Sequence, residues 1–349
     1  MNSRASRTLA VVGLTCLLVI SARPSVMAAG LRDQAVGYRE DGFEAQRHGD
    51  LANAMTSYQK AIALDPSYAV PLNDLGVVYE QRGEFQAARG VYERALRIDP
   101  NYLEANANLG TLYKRMGYPG QALPRLLKAG LLYEQGGNLL TAKALYEQVL
   151  DLEPDHREAL TNLAALDERL GNVREAFLHW MKLGMLHEQS GEFESARMAY
   201  ERAAALDTES VDAQTNVALL YERLGQHDLA VTQWVKLGYL DEQRGDFVSA
   251  QRAYERALSL DPNSIETLAS LAVVSEQLGN REQAIAYWVK CSRLSAPDDP
   301  WRLRAEERLV ALGVLKAGPL YRRYLVEQEF QAQEDSLYAF KTVTDQRHW

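Results

Sequence analysis

Two neighbouring segments of the sequence resemble each other at a 34-residue period. They end in the same dipeptide, at Asp65-Pro66 and at Asp99-Pro100. Self-similarity at a period of about 20 to 50 residues is typical of chains that stack one supersecondary unit many times. Because such a unit buries its apolar face only against its neighbours, the stacked units share one continuous core. The repeat therefore argues against a division of the chain into separate globular domains.

The second of these segments shows the layout of the unit most completely. Its first landmarks fall on one stripe of a helix that a glycine ends, and the next ones fall on the stripe of a second helix. Small residues on both stripes allow the two helices to approach closely, and the closing proline cannot continue a helix. The landmarks are Leu75, Gly76, Tyr79, Gly83, Phe85, Ala88, Tyr92, Ala95 and Pro100.

These residues resemble the pattern of the tetratricopeptide repeat family, which has Leu-Gly, Tyr, Gly, Ala, an aromatic residue, Ala and Pro in this order. The preceding segment keeps most of the pattern, although Asp41-Gly42 stands where the family has Leu-Gly. The resemblance implies an all-α fold, a right-handed solenoid of helical hairpins. It also implies a non-catalytic protein that binds other proteins.

The period changes after Pro100. Glu153-Pro154, Asp207-Thr208 and Asp261-Pro262 follow one another at a 54-residue period, which is shorter than two ordinary units. The shortfall corresponds to about one helix with its turn. Each 54-residue block is therefore expected to contain three helices instead of four.

The missing helix is explained if one helix belongs to two units. Trp234 and Leu237 fit the second helix of one unit, whereas Leu237 and Gly238 fit the first helix of the next. We therefore expect the middle helix of each block to be longer, unbroken at Gly184 and Gly238, with a wider apolar stripe. Pro124 lies early in the first middle helix and predicts a late start or a kink there.

The markers divide the chain into a leader, an array at 29–313 and a tail. Asp299-Pro300-Trp301 is expected to begin the last helix of the array, with proline at the first helical position. The expected segments are a signal peptide at 1–28; 34-residue units at 35–66 and 67–100; 54-residue blocks at 101–154, 155–208 and 209–262; a partial block at 263–313; and a capping helix with a tail at 314–349.

The segment 1–28 has the order of a cleavable export signal. Arg4 and Arg7 precede an apolar run, and small residues follow it, so we expect cleavage between Ala28 and Ala29. The run, from residue 9 to residue 20, is shorter than the ~20 residues that a membrane-spanning helix needs. We therefore expect export to the periplasm or cell envelope of a bacterium, without stable membrane insertion after cleavage.

Acidic residues outnumber basic ones, 47 to 38, and the formal net charge is −9. Loss of residues 1–28 would remove three arginines and no acid, which brings the net charge to −12. Binding to nucleic acid depends on clustered Lys and Arg, so we expect no nucleic-acid partner. Beyond the signal only Cys291 remains, which excludes an intramolecular disulfide and a zinc site of several cysteines.

No catalytic or cofactor-binding motif interrupts the repeats. The sequence has no Gly-rich dinucleotide motif, phosphate loop, His-Glu-x-x-His or Gly-x-Ser-x-Gly, so we expect no enzyme and no cofactor. Cys291 aligns with Leu183 and Leu237 and is expected in the core rather than as a reactive thiol. His179 and His187 lie eight residues apart without a bracketing carboxylate or cysteine pattern, so a metal site is not favoured.

Trp180, Trp234 and Trp288 recur at the same 54-residue period, each with Lys two residues later. Such a series would suit a sugar-binding ladder, but the helix position that the tryptophans occupy favours packing in the core. The repeated pairs Glu80-Gln81, Glu134-Gln135 and Glu242-Gln243 favour solvated helix ends over a binding site.

The family resemblance implies a concave surface, lined by the first helix of each unit, on which a peptide or protein partner lies. Some family members clamp a C-terminal carboxylate there with Lys, Arg and Asn. Here Asp74 and Glu104 occupy comparable positions, which argues against that activity. The expected partner-binding residues are Arg39, Phe43, Asn73, Val77, Glu80, Ala107, Thr111 and Lys114.

Three functions stay open on the sequence alone. The favoured one is a scaffold or adaptor that assists the assembly or secretion of an envelope complex. The second is a solenoid that self-associates, although the expected capping helix argues against a homo-oligomer. The third is an enzyme with an unrecognised site.

Overall fold

The structure is a computed structural model and describes residues 23–316, with side chains from Gly30 onward. Within that range the secondary structure is 16 α-helices without a strand, so the predicted all-α fold is confirmed. The helices are α1 (Arg23–Arg47), α2 (Leu51–Leu64), α3 (Ala69–Gln81), α4 (Phe85–Ile98), α5 (Leu103–Arg115), α6 (Pro119–Gln135), α7 (Leu139–Leu152), α8 (Arg157–Leu170), α9 (Val173–Gln189), α10 (Phe193–Leu206), α11 (Val211–Arg223), α12 (His227–Gln243), α13 (Phe247–Leu260), α14 (Ile265–Gln277), α15 (Arg281–Leu294) and α16 (Pro300–Ala311).

Within the described residues the chain forms two compact units, 23–172 and 173–316. Helices α1–α8 belong to unit 1 and α9–α16 to unit 2, and each unit is described by itself. We call the first helix of a two-helix repeat A-type and the second B-type. The A-type helices are α1, α3, α5, α8, α11 and α14, and the shared helices α6, α9 and α12 lie between an A-type and a B-type helix.

Each 54-residue block contains three helices, of which the middle one is the longest. The shared helices have 17 residues each, whereas the helices on either side have 13 or 14. α9 continues through Gly184 and α12 through Gly238 without a break. The shared helix is therefore long enough to present one stripe to the helix before it and another to the helix after it.

In five hairpins a glycine at position i of the first helix contacts a tyrosine at position i+16 of the second. A Cβ atom at Gly238 would lie 2.6 Å from Cε1 of Tyr254, which is closer than real Cβ atoms approach. The ring therefore occupies the space that a side chain would need, and the two helix backbones come close together. The five pairs are Gly42 and Tyr58, Gly76 and Tyr92, Gly130 and Tyr146, Gly184 and Tyr200, and Gly238 and Tyr254.

The shared helix α6 makes this kind of contact on both sides. A Cβ at Gly110 of α5 would lie 2.9 Å from the Leu126 side chain of α6. A Cβ at Gly130 of α6 would lie 2.5 Å from the Tyr146 ring of α7. The helix thus packs as the second helix of one hairpin and as the first helix of the next.

Where the first helix carries alanine at this position, the following helix carries tryptophan. Ala218 and Trp234 belong to one buried cluster, and Ala272 and Trp288 to another. Both tryptophans are buried, as the sequence predicts. Trp180 is half-buried and packs against the cluster of α10 and α11.

Pro124 lies inside α6, which begins at Pro119. The predicted late start of this helix is therefore wrong. Pro124 has no amide hydrogen to donate to the carbonyl of Gly120, four residues earlier, and its ring crowds that carbonyl. Ala122 and Leu126, on either side of Pro124, are fully buried. This tertiary packing keeps the segment helical despite the proline.

The helix ends follow local sequence signals. Gly83, after α3, has a φ of +78°, a conformation that residues with a Cβ rarely adopt. At the start of α16, Pro300 is the first helical residue and the Asp299 carboxylate accepts from the Trp301 amide at 2.8 Å, as predicted.

Helices two apart in the chain form rows through contacts between their side chains. In unit 1, α1, α3, α5 and α7 form one row, and α6 and α8 belong to another. In unit 2, α9, α11 and α13 form one row, and α12, α14 and α16 another. Because each helix turns back onto the one before it, odd and even helices lie in separate rows. A shared helix therefore moves the following A-type helices to the other row.

Two predicted segments fall outside the described residues. They are the apolar export segment within 1–22 and residues 317–349 of the predicted cap and tail. α1 starts at Arg23 and runs through the predicted cleavage position between Ala28 and Ala29.

Candidate functional site

The first helix of each hairpin carries a glycine or alanine at the position i described above. The residue directly after it, at i+1, marks a common position on these helices. Five large apolar side chains at this position are exposed, with 42–60% of their surface accessible. They are Phe43, Leu131, Met185, Leu219 and Tyr239. The residue just before each of them is buried in the hairpin, and one step along an α-helix turns the next position by about 100°, out of that contact. The position is held by Val77, Thr111, Ala165 and Val273 on the remaining helices, where it is half-buried.

The eight predicted partner-binding residues lie on α1, α3 and α5, which we call the closed row. Polar contacts join these helices directly. Arg39 Nε donates to Asp74 at 2.7 Å, and the Asn108 amide donates to Asn73 at 2.9 Å. Arg115 pairs with Glu80 at 2.8 Å. Of the predicted set, Phe43 is exposed, Asn73 is buried and the other six are half-buried.

The Arg39–Asp74 pair is partly shielded from water. Burial raises the pKa of the Asp74 carboxyl, although the hydrogen bond from Arg39 acts in the opposite direction. The Arg39 guanidinium also lies 5.3 Å from the ring centre of Phe43. Arg39 is therefore engaged on both sides by residues of its own chain.

Two predicted residues of α5 contact α7 instead of the next A-type helix. Thr111 donates to Gln148 at 3.1 Å, and Lys114 pairs with Asp151 at 2.7 Å. Ala107 lies one turn before Thr111 on α5. Because α6 is shared, the neighbour of α5 in its row is a B-type helix, and the family template does not describe this surface.

The repeated glutamates are not simple solvated helix ends, so that prediction is wrong. Glu80 accepts a hydrogen bond from Tyr92 at 2.8 Å, Glu134 from Tyr146 at 3.1 Å and Glu242 from Tyr254 at 2.6 Å. The hydroxyl of a buried tyrosine needs an acceptor, and the glutamate at the helix end supplies it. Trp234 and Trp288 donate their indole N–H in the same way to Glu222 and Glu276.

An arginine at position i+35 pairs with the glutamate at position i in three cases. The pairs are Glu80 with Arg115, Glu134 with Arg169, and Glu188 with Arg223. Gln277 stands at the corresponding distance from Glu242. Among the residues that the structure describes, no basic side chain pairs with Glu242. Its carboxylate accepts a hydrogen bond from the Tyr254 hydroxyl, which carries no charge.

Glu242 lines the open groove, which we define as the surface between α12, α14 and α16. It consists of two adjoining cavities of about 260 and 390 Å³ that share Tyr239, Glu242 and Ser270. The smaller cavity also borders Val273, Trp301 and Arg304, and the larger one borders Val235, Lys236, Tyr254 and Glu266. The groove therefore combines an exposed aromatic ring with side chains of both charges.

The remaining candidates are structural. Cys291 is fully buried and burial raises the pKa of its thiol, so the predicted core position is confirmed. His187 Nδ1 lies 2.6 Å from Glu192. Between residues 23 and 316, no three His, Cys, Asp or Glu side chains are grouped closely enough to hold a metal ion. Over the same range, no helix has both the length and the apolar character to cross a membrane.

The exposed positions 131, 185, 219 and 239 lie outside the predicted set, because the 34-residue template does not describe the 54-residue blocks. A signal for them was present, since each directly follows a glycine or alanine at position i that has an aromatic residue at position i+16. Glu242 was missed because the loss of its arginine partner is visible only once Glu80 and Arg115 are seen in contact.

Sequence models of one repeat type match most of the region from α2 to α13. A model described as "TPR repeat" matches residues 47–83 and 79–117. Two models described as "Tetratricopeptide repeat" match residues 127–182 and 181–239, and residues 231–264. The chain belongs to the tetratricopeptide repeat family. The predicted family is therefore confirmed, and tetratricopeptide repeats are in general protein-interaction scaffolds.

Curated relatives are similar over part of their length. The chain is 26% identical to TPR repeat-containing protein MJ1428 of Methanocaldococcus jannaschii, over 48% of this chain and 30% of the relative. It is 27% identical to the cytochrome c-type biogenesis protein CycH of Rhizobium meliloti, over 40% of this chain and 32% of the relative. The tetratricopeptide chain thus spans about a third of the length of these relatives.

Solved tetratricopeptide structures are also similar. The TPR2B domain of yeast Sti1, solved in complex with pHsp70, is 21% identical over 35% of this chain and 97% of that chain, with a TM-score of 0.33.

Proposed function

We propose that this protein is a non-catalytic scaffold that holds a peptide or protein partner on the exposed faces of its A-type and shared helices. It would do so in the cell envelope of a bacterium, during assembly or secretion of an envelope complex. The observation that carries the proposal is the recurrence of exposed large apolar side chains at one helical position, in Phe43, Leu131, Met185, Leu219 and Tyr239.

The exposed part of each of these apolar side chains is not buried by the hairpin that carries it. Single exposed apolar residues are common on protein surfaces, but apolar residues that recur at one structural position mark an interaction surface. Burial of such a side chain against a partner contributes about 1.5 to 3 kcal/mol when it is complete. Met185 of α9 and Leu219 of α11, which lie in one row of unit 2, would together supply the apolar centre of an interface.

The rest of the molecule agrees with binding rather than catalysis. The buried polar side chains discussed above are joined to each other, as in Asn73 with Asn108 and Glu80 with Tyr92. Such contacts between repeats hold the helices in place and leave few groups for chemistry. The acidic net charge favours a partner that is not a nucleic acid.

The envelope location rests on the amino-terminal sequence. Arg4, Arg7, the apolar run and the small residues before Ala29 have the order of an export signal. The Rhizobium meliloti relative is named a cytochrome c-type biogenesis protein, and this name supports a role in assembly. Cell fractionation with amino-terminal sequencing of the mature chain tests this part, and a chain in the cytosol that retains Met1 would contradict it.

The binding surface is tested by cross-linking in cells, followed by mass spectrometry of the captured peptides. A variant with Met185→Ser, Leu219→Ser and Tyr239→Ser is expected to lose the cross-linked partners that the original chain captures. The matched control carries Leu140→Ser and Val248→Ser, two exposed apolar residues on B-type helices, and is expected to keep them. Equal capture by both variants, or cross-links only between copies of this chain, would overturn the proposal.

A further inference from the structure

The open groove differs from the other rows because its acidic side chain is left without a basic partner. Glu80, Glu134 and Glu188 each pair with an arginine of the next helix in their row. At Glu242 the corresponding residue is Gln277, so the carboxylate faces the groove. An ionised carboxylate in a partly apolar groove is stabilised by any cation that reaches it, because the local dielectric constant is lower than in water.

The walls of the groove also specify the kind of segment that fits. Tyr239 is 60% exposed and Trp301 is half-buried, so aromatic and aliphatic side chains find apolar contacts here. Lys236 and Arg304 stand among the lining residues, and Arg304 lies 5.6 Å over the Trp301 ring. A purely basic segment would be repelled by these two cations. The groove fits a segment with aromatic residues and charges of both signs.

The sequence that follows α16 has this composition. Beyond Lys316 the chain continues to Trp349, and Tyr321-Arg322-Arg323-Tyr324 is followed by Glu327 and Glu329. The arginines match Glu242, and the glutamates match Lys236 and Arg304. The two tyrosines match the apolar wall around Tyr239.

The attachment point makes this segment the nearest source of such a sequence. α16 supplies Trp301 and Arg304 to the groove, and the described chain ends at Lys316, shortly after this helix. From Trp301 to Ala311 the helix rises about 15 Å, at ~1.5 Å per residue. A fully extended stretch from Lys316 to Arg322 would span about 20 Å, at ~3.3 Å per residue. The chain after Lys316 is therefore long enough to span the distance back along α16 to the groove.

We propose that residues 317–349 occupy the open groove, with Arg322 or Arg323 at the Glu242 carboxylate and Tyr321 or Tyr324 against Tyr239. Because the segment is tethered, its effective concentration at the groove is in the millimolar range, so a weak intrinsic affinity suffices for occupancy. If the groove also receives an external partner, as the proposed function has it, the segment competes with that partner. Occupancy by the segment itself does not depend on the proposed function.

Limited trypsin digestion of the full chain tests the proposal, since trypsin cleaves after Arg322 and Arg323. Occupied arginines are protected, so Tyr239→Ala and Glu242→Gln are expected to accelerate cleavage there by about tenfold, in proportion to the population of the released segment. The matched controls are Met185→Ala and Glu188→Gln. They change the same helical positions on α9, outside the groove, and are expected to leave the rate unchanged. Circular dichroism verifies that the four variants stay folded.

A chemical cross-link distinguishes the occupants. In an Arg323→Lys variant of the full chain, a carbodiimide is expected to couple position 323 to Glu242 or Glu266 within one molecule. Mixing isotope-labelled and unlabelled chains shows whether the cross-link joins two molecules. Cleavage rates that Tyr239→Ala and Glu242→Gln leave unchanged, or cross-links only between molecules, would overturn the proposal. The variant with Met185→Ser, Leu219→Ser and Tyr239→Ser separates the two proposals. If it loses partner capture while trypsin cleavage is unchanged, occupancy of the groove by residues 317–349 is overturned and the proposed function is retained.

Discussion

The closed row of unit 1 and the open groove of unit 2 are built on the same hairpin packing and present different surfaces. In the closed row, Arg39 reaches Asp74 and Arg115 reaches Glu80, so the exposed faces of α1, α3 and α5 are joined to each other. In the open groove, Gln277 leaves Glu242 without such a partner, and two cavities lie between the helices. The comparison teaches that a repeat can keep its core and change its surface through a single side chain at a helix end.

The largest effect is expected in the core that both regions share. Gly76→Ala and Gly238→Ala would each force a Cβ atom into the ring of Tyr92 or Tyr254. We expect each to lower the free energy of unfolding by about 2 to 3 kcal/mol, as overpacked cores do. Urea unfolding monitored by circular dichroism measures the change.

The control for these variants is Gly90→Ala, because a Cβ at Gly90 meets nothing within 4 Å. It is expected to stabilise α4 by about 0.5 to 1 kcal/mol, since alanine loses less conformational entropy in a helix. If Gly76→Ala and Gly238→Ala differed by more than about 1.5 kcal/mol, the two regions would not share one packing scheme.

A smaller effect is expected from Arg39→Ala in the closed row. It leaves the partly buried Asp74 carboxylate unpaired and should lower the free energy of unfolding by about 1 to 2 kcal/mol at pH 7. Burial already raises the folded-state pKa of Asp74, and loss of Arg39 raises it further. The folded state then takes up a proton more readily than the unfolded state as the pH falls. The destabilisation caused by Arg39→Ala should therefore shrink between about pH 7 and pH 4.

The matched control in the open groove is Arg304→Ala. Arg304 is exposed and joins no ion pair among the described residues, so its loss should change stability by less than ~0.5 kcal/mol at either pH. A pH-independent penalty for Arg39→Ala would show that Asp74 is not the group that responds.

The smallest effect is expected from Gln277→Arg, which places an arginine at the i+35 position from Glu242, as in Glu80 and Arg115. The new exposed pair should stabilise unit 2 by about 0.3 to 1 kcal/mol. A double-mutant cycle with Glu242→Gln isolates the pairwise contribution. A coupling free energy of zero would show that the open groove lacks the geometry of the closed row.

Much of the fold is predictable because the local signals agree with each other. The spacing from Leu237 and Gly238 to Gly245 specifies a first helix, and the spacing from Ala230 to Leu237 specifies a second, so their overlap predicts a shared helix. Cys291 is predicted to be buried because its alignment with Leu183 and Leu237 gives it a core position. Pro124 shows the limit, since tertiary packing around Ala122 and Leu126 outweighs a local helix-breaking preference.

The surfaces are less predictable, because they depend on which helices become neighbours. The 34-residue template predicts Lys114 on a partner surface, yet Lys114 pairs with Asp151 because α7 is next to α5 in its row. The acceptor role of Glu80 and Glu242 depends on a tyrosine of the following helix, whose hydroxyl direction is not evident from spacing. The exposed Tyr239 could have been found from its position after Gly238.

The alternation of rows has a consequence for how such a gene can grow. Duplication of a 34-residue unit adds two helices, so every later helix keeps its side of the array. Duplication of one 54-residue block adds three helices and exchanges the two sides for everything that follows. Insertion of an even number of blocks would therefore leave a binding face on its original side of the array. Insertion of an odd number would move that face to the other side.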